Sequence, residues 1–191
     1  MKSFIDFKPE KSIEPYQKLP AGLYVGIITA VEEVGEYPED ALVLQLEILE
    51  GTWAGYYTRR FEYDKENPRI PEPRYKGTYR LWAPRPENRK LKNPGWALHT
   101  FNHAVWSIEQ SNEGYTFDFE NTGALVGKEV GINVRNASLN GFAFTEIGRL
   151  ESVEDVRSGN APRLPDRKER STAGLSVYTP MDPGTEPELP F

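Results

Sequence analysis

Four apolar side chains at every second position, Leu42, Leu44, Leu46 and Ile48, constrain this chain more than any other feature. Successive side chains of a strand point to opposite faces, so this period of two gives one buried face, with Ala41, Val43, Gln45 and Glu47 on the other. Just upstream, Leu23, Val25, Ile27, Thr29 and Val31 alternate with Tyr24, Gly26, Ile28, Ala30 and Glu32, and read as an earlier strand. After the turn at residues 50–55, the aromatic and β-branched run Tyr56–Tyr63 reads as a third strand, although neither of its faces is plainly the core face.

Residues 64–95 hold six prolines, which argue against a helix or central strand over most of that stretch; only Gly77–Trp82 suits a short strand. The period then changes. Leu98, Phe101, Val105 and Ile108 follow helical spacing, so residues 96–110 are expected as an amphipathic helix. Two further strands are expected, Glu129–Arg135 with Val130, Ile132 and Val134 inward, and Phe142–Ile147 after the turn Asn140-Gly141. Residues 151–157 add a short helical turn.

Three strands, one helix and two strands make a mainly β chain. That is the order of a five-stranded OB-fold-like barrel with one helix between strands 3 and 4, and a generic α+β sandwich has the same order. The expected division is an OB-fold-like domain over residues 1–157, carrying a basic, Pro-rich insertion at 64–95. Residues 158–191, polar and Pro-rich, are expected as a flexible linker and acidic C-terminal tail.

The net charge of −6 by itself disfavours a nucleic-acid ligand. Its distribution reverses that argument. Residues 55–100 carry 11 basic against 5 acidic side chains, whereas residues 1–54 carry 4 against 10. Aromatic rings are threaded through the basic block. Unpaired bases need cations for their phosphates and flat rings on which to stack, with roughly 1–3 kcal/mol per stacked base. The expected DNA contacts are therefore phosphate tracking by Arg59, Arg60, Lys76, Arg80, Arg89 and Lys90, with stacking by Tyr57, Tyr79, Trp82 and Trp96. For any single ring, burial in the core is the competing reading, because large aromatics usually bury.

Catalytic patterns are thin. The chain has no phosphate-loop, dinucleotide or nucleophile-elbow signature. His99 and His103 stand four apart on the expected helix, but no third ligand accompanies them, so no metal or cofactor is expected and the chain is read as a non-enzyme. Cysteine is absent, which excludes disulfides and thiolate catalysis. No segment has the length and apolarity of a membrane helix and the N-terminus lacks a secretory pattern, so a cytoplasmic location, that of the host cell if phage-encoded, is expected.

The final residues, Glu186-Pro187-Glu188-Leu189-Pro190-Phe191, join an aromatic ring and a free carboxylate at the end of an acidic arm. Such an ending suits a pocket rimmed by Arg or Lys. With the barrel order and the basic aromatic block, this ending resembles the single-stranded DNA-binding proteins, whose bacterial members end in an acidic Ile-Pro-Phe tip. Leu125-Val126-Gly127-Lys128-Glu129-Val130 and Ser152-Val153-Glu154-Asp155-Val156-Arg157 resemble the phage-encoded group. The resemblance implies an OB-fold that coats single-stranded DNA with little sequence preference during replication, recombination or repair. It also implies a tip, Leu189, Pro190 and Phe191, that recruits replication, recombination or repair proteins; a homo-oligomer is a further expected assembly. The alternatives are a protein-interaction module that does not bind DNA and, ranked last, a metal-dependent nuclease.

Overall fold

The computed structural model describes residues 16–167. Five strands, β1 (Gly22–Val34), β2 (Ala41–Ile48), β3 (Thr78–Trp82), β4 (Glu129–Leu139) and β5 (Phe142–Glu151), form one antiparallel sheet in the order β3-β2-β1-β4-β5. Helix α1 (Tyr56–Glu66) joins β2 to β3, α2 (Pro94–Ser111) joins β3 towards β4, and the short α3 (Val153–Ser158) follows β5. The chain is therefore mixed α/β rather than mainly β. The sheet is open: no ladder joins β3 to β5 among the described residues, so the expected closed barrel is corrected to an open sheet with those two strands as its edges.

The alternation in β2 is realised as expected, with Leu42, Leu44, Leu46 and Ile48 all in the core. In β1 the ladder to β2 shifts between Ile28 and Ala30. A bulge of this kind exchanges the faces, so Ile28 is fully buried before it and Val31 packs on the same core after it. Val130, Ile132 and Val134 of β4 complete the inner face, over which α2 lays Phe101, Ala104 and Ile108. Leu98, expected inward, is exposed.

Tyr56–Tyr63, expected as the third strand, is the body of α1. Its helical character comes from partners that single-residue preference does not report. Gly55 enters the helix at φ 72°, a left-handed conformation that costs glycine little, and supplies no capping side chain. Glu47 on β2 supplies the cap instead: its carboxylate accepts from the backbone N–H groups of Tyr57 at 3.0 Å and Thr58 at 2.6 Å. Arg60 and Asp64, four apart, then pair at 2.9 Å along one helical face. The third strand is Thr78–Trp82 in place of Tyr56–Tyr63.

The Pro-rich stretch after β3 is held by the β1–β2 connection. Asp40 accepts two bonds from Arg85, both at 2.9 Å, which hold its carboxyl below its usual range, and Glu39 pairs with Lys90 at 2.9 Å. Asn93 caps α2 by accepting from the Trp96 N–H at 3.0 Å, with Pro94 in the first turn. Asn112 closes the other end: its amide donates to Ile108 O and Glu129 O, and its oxygen accepts from Glu129 N, which ties α2 to the start of β4.

Candidate nucleic-acid interface

Because β3 and β5 do not pair, a groove of about 980 Å³ opens along the seam between them. Its β3 wall follows from strand alternation. Tyr79 and Leu81 point into the core, whereas Thr78, Arg80 and Trp82 fall on the other face. Gly77 allows this strand to lie close: a Cβ there would stand 2.3 Å from Leu46 O and 2.6 Å from the Tyr57 ring. Such a position tolerates no side chain without a backbone shift.

Leu19 closes one end of the seam. Its N–H donates to the Tyr56 hydroxyl of α1 at 3.1 Å, and its carbonyl accepts from the Thr145 hydroxyl of β5 at 3.1 Å. This buried crossing places Lys18 on the groove. On the far side, β1 stops pairing with β4 beyond Val134, and Arg167 takes its place: its N–H donates to Asn136 O at 2.9 Å. Arg167 thus reaches the β5 wall, where it pairs with Glu146 at 2.9 Å and lies over the Phe144 ring.

The electrostatic outcome is one-sided. Lys18, Arg60, Lys76, Arg80, Arg135 and Arg167 line the groove against one carboxylate, Glu146, which Arg135 and Arg167 already engage. Arg60 is braced by Asp64 and sits over Tyr16 and Tyr63. Arg80 lies 5.1 Å from the Trp82 ring, and Lys90 lies 5.8 Å from the same ring.

Tyr57 and Tyr79 are 5% and 8% exposed, and burial pushes both phenols up, Tyr79 to about 12. They are neutral floor residues of the groove, with little free ring surface for a base. A second groove, of about 420 Å³, continues past β3, shares Arg80 and Trp82, and adds Lys90, Lys92 and Trp96.

Of the residues expected from sequence, the structure gathers Tyr57, Arg60, Lys76, Tyr79, Arg80 and Trp82 on the seam and Lys90 and Trp96 on its continuation. Arg59 lines neither groove; its guanidinium turns back to donate to Ala54 O at the start of α1. Arg89 is exposed on the loop before α2 and lines neither. Leu189, Pro190 and Phe191 lie outside the described residues. Sequence reasoning missed Lys18, Arg135, Phe144 and Arg167. They come from three distant segments, and no local pattern shows that β5 faces β3 across an open seam.

His103, considered as a metal ligand, meets Glu151 at 3.1 Å, and Glu151 is itself held by Asn133 at 2.8 Å and Arg149 at 2.6 Å. Among the described residues no group of three His, Asp or Glu side chains is placed to hold a metal ion, and no helix is long and apolar enough to cross a membrane. No family model matches this chain, and no curated protein matches it, so the reading of the groove rests on its own geometry and charge.

Proposed function

We propose that the chain binds single-stranded DNA along the β3–β5 seam, as a non-catalytic protein with little sequence preference. The observation that carries this reading is the groove itself, six cations facing one already engaged carboxylate, with the half-buried ring of Trp82 at its mouth. Phosphates would track Lys18, Lys76, Arg80 and the Arg135–Arg167 side, while Trp82 and Trp96 would offer stacking surfaces. Sequence preference is weak in this scheme because stacking accepts any base. The strand order, with β3 and β5 at its edges, is that of an OB barrel left open at one seam, and this finer description belongs to the same proposal. Roles in phage replication, recombination or repair, and recruitment of partners through Leu189, Pro190 and Phe191, are further parts of it.

The test is anisotropy of labelled oligo-dT and of duplex DNA of equal length across a salt series. The expected result is tighter binding of the single strand, with a log–log salt slope of about −0.7 for each phosphate neutralised. Equal affinity for duplex, or a flat salt response, refutes the reading.

A further inference from the structure

A second aromatic surface lies on α2, a helix that carries no lysine or arginine. Along α2, Trp96, His99, His103 and Trp106 form a ladder of neighbouring rings, with centroids 5.9, 6.4 and 5.9 Å apart and the last two pairs nearly parallel. Trp96 is 69% exposed and Trp106 46%. At 3.6 residues per turn the four side chains fall within an arc of about 80°, opposite the buried Phe101. Apart from its two histidines, α2 carries one ionisable side chain, Glu109, in a chain that is 27% charged, and Glu109 is engaged by Phe117 N–H at 2.9 Å. An exposed surface depleted of charge and rich in Trp has the composition of an interface centre.

The spacing identifies the occupant. The ladder positions are separated by three, four and three residues, a pattern that reads the same in both directions about residue 101. A two-fold interface requires a patch that matches its own copy. We infer that α2 pairs antiparallel with α2 of a second copy of this chain, Trp96 against the partner's Trp106 and His99 against the partner's His103. With no lysine or arginine on α2, and with His103 held by Glu151, the patch meets its copy without the repulsion that two basic seams would face.

The area sets the strength. Trp96 and Trp106 are 69% and 46% exposed, so at 150–250 Å² for a fully buried ring they bury together about 170–290 Å² per copy in such a contact. That is below the roughly 800 Å² per partner of a standard stable interface, so the dimer is weak and concentration-dependent.

The experiment is sedimentation velocity on the full chain from micromolar concentration to about 0.5 mM, with Trp106→Glu and His99→Glu as variants. The expected result is a concentration-dependent dimer that both variants convert to monomer while retaining the wild-type circular dichroism spectrum. Register is read separately. The chain has no cysteine, so Gln110→Cys gives a single spin-label site. Antiparallel pairing centred on residue 101 separates the two labels by about 28 Å, from a rise of 1.5 Å per residue and helix axes 8–10 Å apart. A chain monomeric throughout the range, variants that still dimerise, or labels about 10 Å apart as in a parallel pair would each overturn the inference. None of these outcomes depends on DNA, so failure here is distinct from failure of the proposed DNA binding.

Discussion

The β3–β5 seam and the outer face of α2 both present aromatic rings, and what separates them is the company those rings keep. On the seam, Trp82 sits between Arg80 and Lys90, within a groove lined by six cations. On α2, Trp96 and Trp106 flank two histidines on a helix without lysine or arginine. The ring supplies stacking or apolar area in either place. The neighbouring charge decides whether the fitting ligand is a polyanion or a neutral surface like itself. Trp96 belongs to both descriptions, since it also lines the end of the second groove, which makes it the residue at which the two surfaces meet.

The sharpest way to break this comparison is to exchange tryptophans. Trp82→Ala is expected to weaken oligo-dT binding by about 1–3 kcal/mol, roughly 5-fold to 150-fold, whereas Trp106→Ala should leave it unchanged; anisotropy titration checks both. Equal losses from the two variants would mean that the surfaces are not distinct. Next in size is the charge itself. The double variant Lys76→Ala with Arg80→Ala removes two phosphate contacts, which predicts about 25-fold weaker binding at 0.1 M salt and a salt slope shallower by about 1.4. A loss with an unchanged slope would assign these residues a structural role.

The seam also depends on backbone geometry that α2 does not share. Gly77→Ala forces a Cβ against Leu46 O and Tyr57 and is expected to cost about 1–3 kcal/mol of stability. Trp106→Ala, at an exposed helix position, is expected within about 0.5 kcal/mol of wild type. Urea unfolding of the two variants makes that comparison. The smallest expected effect lies at the Asp40–Arg85 pair bracing the Pro-rich stretch. The folded-state pKa of Asp40 is held below its ordinary value of 3.8, so the pair stabilises the fold above that pH and the contribution fades as pH falls through the lowered value. Asp40→Asn should therefore melt slightly lower than wild type at pH 7, and the difference should close under acid. A gap that widens under acid contradicts the assignment.

How much of this was legible in the sequence differs by element. β2, β4 and α2 were readable because each buries one face of a regular period, and burial of Leu44 or Val130 needs only neighbours on the same strand to be inferred. Tyr56–Tyr63 was misread because tyrosine and threonine favour strands, while the groups that make it a helix sit elsewhere: the Glu47 cap comes from β2. In β1 the alternation predicted a single inward set, and the bulge after Ile28 changed which residues that set contains. The basic aromatic block pointed to the right stretch of chain for one wall of the groove. It could not distinguish Arg80, which lines the seam, from Arg59, which is bound back to its own helix start.

The alternation of β2 and β4, the segregation of charge and the symmetric spacing of rings on α2 are written in the chain, because these are properties of residues close together in it. The tertiary structure decided that the sheet stays open between β3 and β5, that Lys18, Arg135 and Arg167 join the basic wall, and that Tyr57 and Tyr79 lie beneath it. Those outcomes depend on long-range register and on competition for burial, which are settled only when all five strands and α2 share one core.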